Sequence, residues 1–393
     1  MTRDSNTLVH GLLRELVAID SVNPSLVPGA RGEADAANYL QGWLEQHGIE
    51  AELQETSAPG GPSRPNVLAW LGPQPEFREA KRHAALLMEA HIDTVGAGDM
   101  LQPFTPRERE GRLYGRGALD IKSGVAAMCA AAVEIEQSGA RLRRPLAIAV
   151  VVDEECNSAG TEALAREISA DAAVVMEPTD LKLCIAHKGY AWYRIVTHGR
   201  AAHGSLPQEG RDAIRMMGRV LERLDALDKE LAAGAPHRLL GHASLHASLV
   251  RGGHELSSYP ALCELDMERR TLPGETEAQL EQEVALLLRE LSERDADFHA
   301  TFEKMAARPP YEISEDAPVV KTMQQAIRSV TGAAEFCGMP FWTDTALLAE
   351  AGIPGVVFGP RGKGLHGPEE YVEMDSVAAC AQVLREAALA ICG

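Results

Sequence analysis

Two histidines and a group of carboxylates stand out in this 393-residue chain, because each follows an apolar run or sits in a glycine-rich turn. LLMEAHIDTV delivers an aliphatic stretch to His91, with Asp93 two residues on. Side chains two apart in extended chain share a side. Asp93 can therefore accept a hydrogen bond from the His91 ring nitrogen that does not bind metal, fixing tautomer and orientation. GRGALDIKSG carries Asp120 at the mouth of an Ala-rich helix, and LAIAVVV ends in Asp153-Glu154-Glu155. AAVVMEPTD places Glu177 just beyond another buried run, and GLHGPEEYV puts His366 in a Gly/Pro loop.

Each feature has a plain alternative when taken alone. His91-x-Asp93 reads as a polar strand end, Asp120 as a helix N-cap, the acidic triplet as a solvated turn, Glu177 as a turn start before Pro178, and His366 as an idle loop histidine. Together, two imidazoles and three carboxylates without thiolate suit zinc, with cobalt or manganese as substitutes. His91, Asp120, Glu155, Glu177 and His366 suffice for two metals that share a bridging carboxylate. Glu154 is then free to face a water while its neighbour holds metal. That chemistry is two-metal amide hydrolysis.

Hydrophobic periodicity supplies the elements that must position these residues. Apolar spacing predicts helices over 6–18 and 33–47, strands over 49–55 and 66–71 with SAPGGPSRP as the loop between, and a strand over 84–90. A helix over 122–137, a strand over 146–152, a helix over 159–168 and the strand AAVVM follow. Near-continuous aliphatic strands alternating with helices imply an α/β fold, a mostly parallel sheet covered on both faces. The grammar then changes. Strand 190–197, helix 211–231, strands 243–250 and 261–269, helix 277–293 and strand 298–304 read as an α+β sandwich. Helices over 317–329, 344–351 and 375–390 with a strand over 355–358 restore the first pattern. The expected organisation is one domain formed by 1–187 and 309–393, with 188–308 inserted in it.

The net charge of −19 argues against nucleic acid or an anionic membrane as partner. The N-terminal stretch shows no secretory-type apolar core, and no run approaches the ~18 apolar residues of a membrane span. Seven scattered cysteines without CxxC spacing suit reduced thiols, so a cytoplasmic setting is expected.

HIDTV, GRGALDIKSG, DEE, EPTD, GRAAHGSLP, MERRTLPGE and LHGPEEYV, in this order, resemble the family of acetylornithine deacetylases, succinyl-diaminopimelate desuccinylases, aminoacylases and carboxypeptidases G. The resemblance spans about residues 8–390. It implies a zinc-exopeptidase-like fold with an inserted lid and dimerisation domain, and two Zn²⁺ per subunit. It implies that His91 and Glu177 hold one metal, that Glu155 and His366 hold the other, and that Asp120 bridges them. Glu154 would be the general base and Asp93 the partner of His91. A cis peptide would follow Asp120. Arg270 would bind a substrate carboxylate, and His203 would reach the active site of the other subunit in a homodimer. The family often has Asn where this chain has Ser257.

The expected reaction is hydrolysis of an N-acyl amino acid or short peptide-like amide with a free carboxylate, closest to acetylornithine deacetylation. A dipeptidase, carboxypeptidase or desuccinylase is the alternative within the family. A non-catalytic ligand-binding protein is the alternative outside it. An aminopeptidase of related fold would leave Arg270 and the inserted domain without a use.

Overall fold

The computed structural model describes residues 3–56 and 62–393, so the 57–61 part of the SAPGGPSRP loop lies outside the described residues. The chain forms two compact units. One comprises 1–185, 313–337 and 343–393, the other 186–312 and 338–342.

In the first unit, strands Leu146–Val151, Leu86–His91, Ala173–Met176 and Gly355–Phe358 lie side by side and parallel. Their interior stretches are aliphatic because both faces are covered. One face packs on Leu164 and Leu348 from helices Ala159–Glu167 and Thr345–Glu350. Helix Lys122–Gln137 packs against the sheet and against helices Arg3–Ala18 and Met374–Cys392. Being enclosed by these neighbours, it is buried almost all round, which is why it reads as Ala-rich rather than amphipathic. The sheet turns antiparallel at its margins, where Pro65–Leu71 pairs with Leu146–Val151 and with Ala51–Glu55.

Four strands of two or three residues, invisible to periodicity, make a separate small sheet. Arg107–Arg109 pairs with Arg112–Tyr114, which pairs with Tyr371–Glu373, and that strand pairs with Gly362–Lys363. This sheet ties the chain leading to Asp120 to the loop that contains His366.

The second unit is a four-stranded antiparallel sheet ordered Ser244–Gly252, Leu262–Thr271, Gly189–His198, Ala300–Arg308. Burial alternates along Gly189–His198, as expected when one face is covered. Helices Ala213–Ala233 and Glu277–Arg294 supply that cover, with Met217, Val220, Val284, Leu287 and Phe298 in a shared core. Asp212 caps the first helix by accepting from the Arg215 amide. Thr276 and Gln279 form a capping box on the second, as the spacing T-x-x-Q dictates.

Candidate metal centre

Parallel strands deliver their C-terminal ends to one side of a sheet, and there the candidate ligands converge. His91 ends one strand, the acidic triplet follows its neighbour on one side, and Glu177 follows its neighbour on the other. Asp153 adopts φ +68°, a left-handed turn that Asp tolerates, and this swings Glu154 and Glu155 out of the strand direction. His366 sits in the same backbone region at φ +57°. The Asp120–Ile121 peptide is cis.

Asp120 faces both imidazoles with different oxygens. Its Oδ1 lies 3.4 Å from His91 Nε2, and its Oδ2 lies 3.2 Å from His366 Nε2. Glu155 Oε2 is 3.2 Å from His366 Nε2, and Glu177 Oε1 is 3.7 Å from His91 Nε2. Glu154 Oε2 also stands 3.9 Å from His91 Nε2. Two overlapping triads of possible ligand atoms result, each within 4.8 Å: His91, Glu154 and Glu177, and His91, Asp120 and Glu155.

Burial first, then the crowding of like charges, raises the carboxyls of Glu154 and Glu177 well above the usual range and raises that of Glu155. His366 is pushed up to about 10 by its bonds to Asp120 and Glu155. Burial works against a charge on His91, but its bonds to Asp120 and Asp93 outweigh it. Among the described residues no lysine or arginine pairs with Asp120, Glu154, Glu155 or Glu177. Glu155 Oε1 is buried without a hydrogen-bond partner. This donor set, imidazole and carboxylate with excess negative charge out of water, fits divalent cations.

Asp93 is fully buried and organises its surroundings more broadly than its spacing from His91 suggests. Its Oδ1 accepts from the Glu154 amide at 3.2 Å, and its Oδ2 from the Glu155 amide at 3.1 Å and from Asn23 Nδ2 at 2.7 Å. His91 Nδ1 lies 3.6 Å from Oδ1 and nearer, at 3.1 Å, to the Asp93 main-chain carbonyl. Either acceptor turns Nε2 toward the carboxylates.

Sequence reasoning passed over the residues behind this shell. Glu370, buried, accepts from the amides of Gly117, Leu119 and Asp120 at 3.2, 2.8 and 3.1 Å and from Arg116 Nη1 at 2.7 Å. Arg116 Nη2 donates to the carbonyl of Gly367, next to His366. One carboxylate thus clamps the Asp120 and His366 segments together. Thr161 Oγ1 lies 2.6 Å from Glu89 Oε1 and 2.5 Å from Asp344 Oδ2. A hydroxyl donates one proton, so one of these two carboxyls must itself be protonated. Burial, followed by their mutual repulsion for Glu89, raises both. Glu89 was open to sequence reading, as a lone acid inside an aliphatic strand. Glu370 was not, because its partners lie about 250 positions away.

Arg270 and His203 lie in the second unit. Arg270 projects from Leu262–Thr271, with Nε 2.6 Å from Glu268 Oε1 and the guanidinium 5.6 Å from the Tyr190 ring. Glu268 also accepts from Trp192 Nε1 at 2.7 Å. His203 is exposed, bonds to Ser205 Oγ at 2.8 Å, and bridges to the Ser257–Ser258 turn.

A family model described as peptidase family M20/M25/M40 matches residues 87–390. The chain belongs to this family. It is therefore a hydrolytic enzyme, and its convergent ligands form a candidate metal site of a metallopeptidase-type fold. An acetylornithine deacetylase of Myxococcus xanthus is 28% identical over 99% of both chains. An aminopeptidase of Bacillus cereus superposes with a TM-score of 0.78 at 18% identity, covering 99% of each chain. A Bacillus subtilis protein described as a dinuclear metal binding peptidase of family M20 superposes at 0.72, with 17% identity over 99% of each. The superposition with the aminopeptidase covers residues of both units.

Proposed function

We propose that this M20 hydrolase is a two-zinc deacylase that cleaves the amide of an N-acyl amino acid bearing a free carboxylate. The observation that carries the reading is the placement of the two Asp120 oxygens toward His91 and His366. His91 and Glu177 would hold one metal, Glu155 and His366 the other, and Asp120 both. When bound, the metals polarise the scissile carbonyl and make water more acidic.

The remaining steps belong to side chains. Glu154, raised by burial, accepts a proton from the attacking water and returns it to the departing amine nitrogen. Asp93 holds His91 in orientation and fixes the Glu154 and Glu155 amides. Arg270 takes the substrate carboxylate. Its Nε side is engaged by Glu268, leaving the other edge of the guanidinium fork for a second carboxylate.

We place the enzyme in the cytoplasm as a homodimer. No helix among the described residues is long and apolar enough to cross a membrane. Strand Ser244–Gly252 is an open sheet edge, with Leu249 and Val250 half exposed, which suits strand pairing with a second copy. His203 would donate to the developing oxyanion of the partner's site, a contribution of roughly 3–4 kcal/mol. Mixing inactive Glu154→Ala and His203→Ala subunits should restore about a quarter of wild-type activity, since about half of two-fold dimers are then mixed with one intact site each. No recovery on mixing means that His203 does not act across subunits.

The substrate reading is tested by a panel of N-acetyl, N-formyl, N-succinyl and N-carbamoyl amino acids, with dipeptides, in added zinc or cobalt. N-acetylated amino acids with a free carboxylate should be hydrolysed, and their amide-capped counterparts should not. Cleavage of dipeptides alone would make the enzyme a peptidase.

A further inference from the structure

Seven cysteines occur in the chain and none is in a disulfide. Five of them share a setting: Cys129, Cys156, Cys263, Cys380 and Cys392 all have thiols that burial raises. Cys337 departs from this pattern. It is only half buried and lies on strand Phe336–Met339, which pairs with strand Leu183–His187. The Leu183 amide donates to the Glu335 carbonyl at 2.9 Å, and the Lys188 amide to the Met339 carbonyl at 3.0 Å. Both strands therefore advance in the same direction. The offset between the strands changes by one residue between these two bonds, and the register of the first places Cys184 opposite Cys337.

Neighbouring strands lie about 4.8 Å apart, inside the ~4.4–6.8 Å Cα separation that a disulfide spans. The Cys184 and Cys337 side chains are hydrogen-bonded to one another. That bond, together with the nearby Lys182 ammonium, favours the Cys337 thiolate. Cys156 has similar exposure, but its thiol is raised. A half-exposed, thiolate-favouring cysteine beside a second thiol is the arrangement in which oxidation by peroxide is followed by disulfide closure.

We propose that Cys337 and Cys184 are a peroxide-responsive thiol pair, Cys337 the attacking sulfur and Cys184 the resolving one. The Cys337 thiolate attacks hydrogen peroxide, giving Cys337 sulfenic acid and hydroxide. The Cys184 thiol then displaces water from that sulfur. Two thiols are oxidised by two electrons, and one peroxide is reduced to two waters. Ile185 and Cys337 each close a segment of the first unit, so the bond would staple together two of its chain exits.

The test uses the zinc-loaded full chain treated with about one equivalent of hydrogen peroxide, quenched, alkylated and digested with trypsin. The expected product is LCIAHK joined to the peptide that carries Cys337, lighter by two hydrogens than the separate peptides and released by reductant. Alkylation should fall by two thiols, leaving five of the seven. In Cys184→Ser, Cys337 should stop at the sulfenic acid and become labelled by dimedone. In Cys337→Ser, Cys184 should remain fully alkylated after peroxide. The proposal is overturned if wild-type Cys337 is recovered reduced or as sulfinic acid without the crosslink, or if Cys156 is the first thiol lost. The wild-type peptide map alone decides the matter should either variant fail to fold. It is independent of the substrate reading.

Discussion

Charges in the two units keep opposite company. In the second unit, two arginines on the central strands are matched by carboxylates within the chain. Arg194 grips Asp266 through bonds of 2.6 and 2.9 Å, and buried Arg269 reaches Glu275 at 2.6 Å and Glu283 at 3.2 Å. Arg194 accordingly holds Asp266 below the usual carboxylate range. At the sheet ends of the first unit, Glu154, Glu155 and Glu177 are raised instead, and the cationic neighbours they meet among the described residues are two histidines. Burying unpaired carboxylates is costly unless protons or cations come to them. A surface that neutralises itself is structural, whereas one that waits for charge from outside is a binding site.

The most damaging break in this contrast should be Asp120→Ala. It removes the carboxylate that faces both histidines, so zinc retained after dialysis should fall toward zero and activity with it. Two equivalents retained would remove Asp120 from the bridge. Glu154→Gln comes next. Activity should fall about 10²–10⁴-fold with zinc content unchanged. Loss of zinc instead would make Glu154 a ligand, as its place beside His91 and Glu177 also permits.

Glu370→Gln probes a charge in the first unit that is internally matched. Its amide group would present N–H to donors already aimed at the carboxylate, and Arg116 would be left buried without its counter-ion. Breaking such a pair costs about 3–5 kcal/mol, to be read as a lower midpoint in urea, and zinc should bind more weakly. Arg270→Ala, in the second unit, should raise KM for carboxylate substrates by an amount worth about 2–5 kcal/mol and leave zinc content alone. Equal loss on amide-capped substrates would end its role as a carboxylate clamp.

The smallest effect concerns His187, which burial pushes down to about 4. An unfolded histidine titrates near 6.5, so between these values the unfolded chain holds more protons. His187 therefore costs nothing above about pH 6.5 and destabilises the fold progressively as pH falls toward 4, by up to roughly 3 kcal/mol. His187→Leu should flatten that part of the stability–pH curve. An unchanged slope would show that His187 is solvated.

The candidate ligands, their order and the strands that carry them were legible in the chain because local pattern specifies them. Unbroken aliphatics predict a strand covered on both faces, and a polar residue at its end must meet whatever lies beyond. The strand ends at His91, Glu154 and Glu177 follow from that rule alone. Nothing local paired Cys184 with Cys337, set Thr161 between Glu89 and Asp344, or gave Arg270 to Glu268, although the last two stand two residues apart on one strand.

The sequence by itself determined which side chains are candidates for the chemistry and which elements present them, since periodicity and residue type act over neighbouring positions. Tertiary structure alone decided how the loops meet. The small sheet pairing Tyr114 with Tyr371 and the Glu370 clamp on the Asp120 amide join segments about 250 positions apart. Strands of two or three residues are too short to show a period, and a buried hydrogen-bonded acid looks like any other acid until its partners arrive. The contacts that aim Asp120 at both histidines are for that reason a property of the fold.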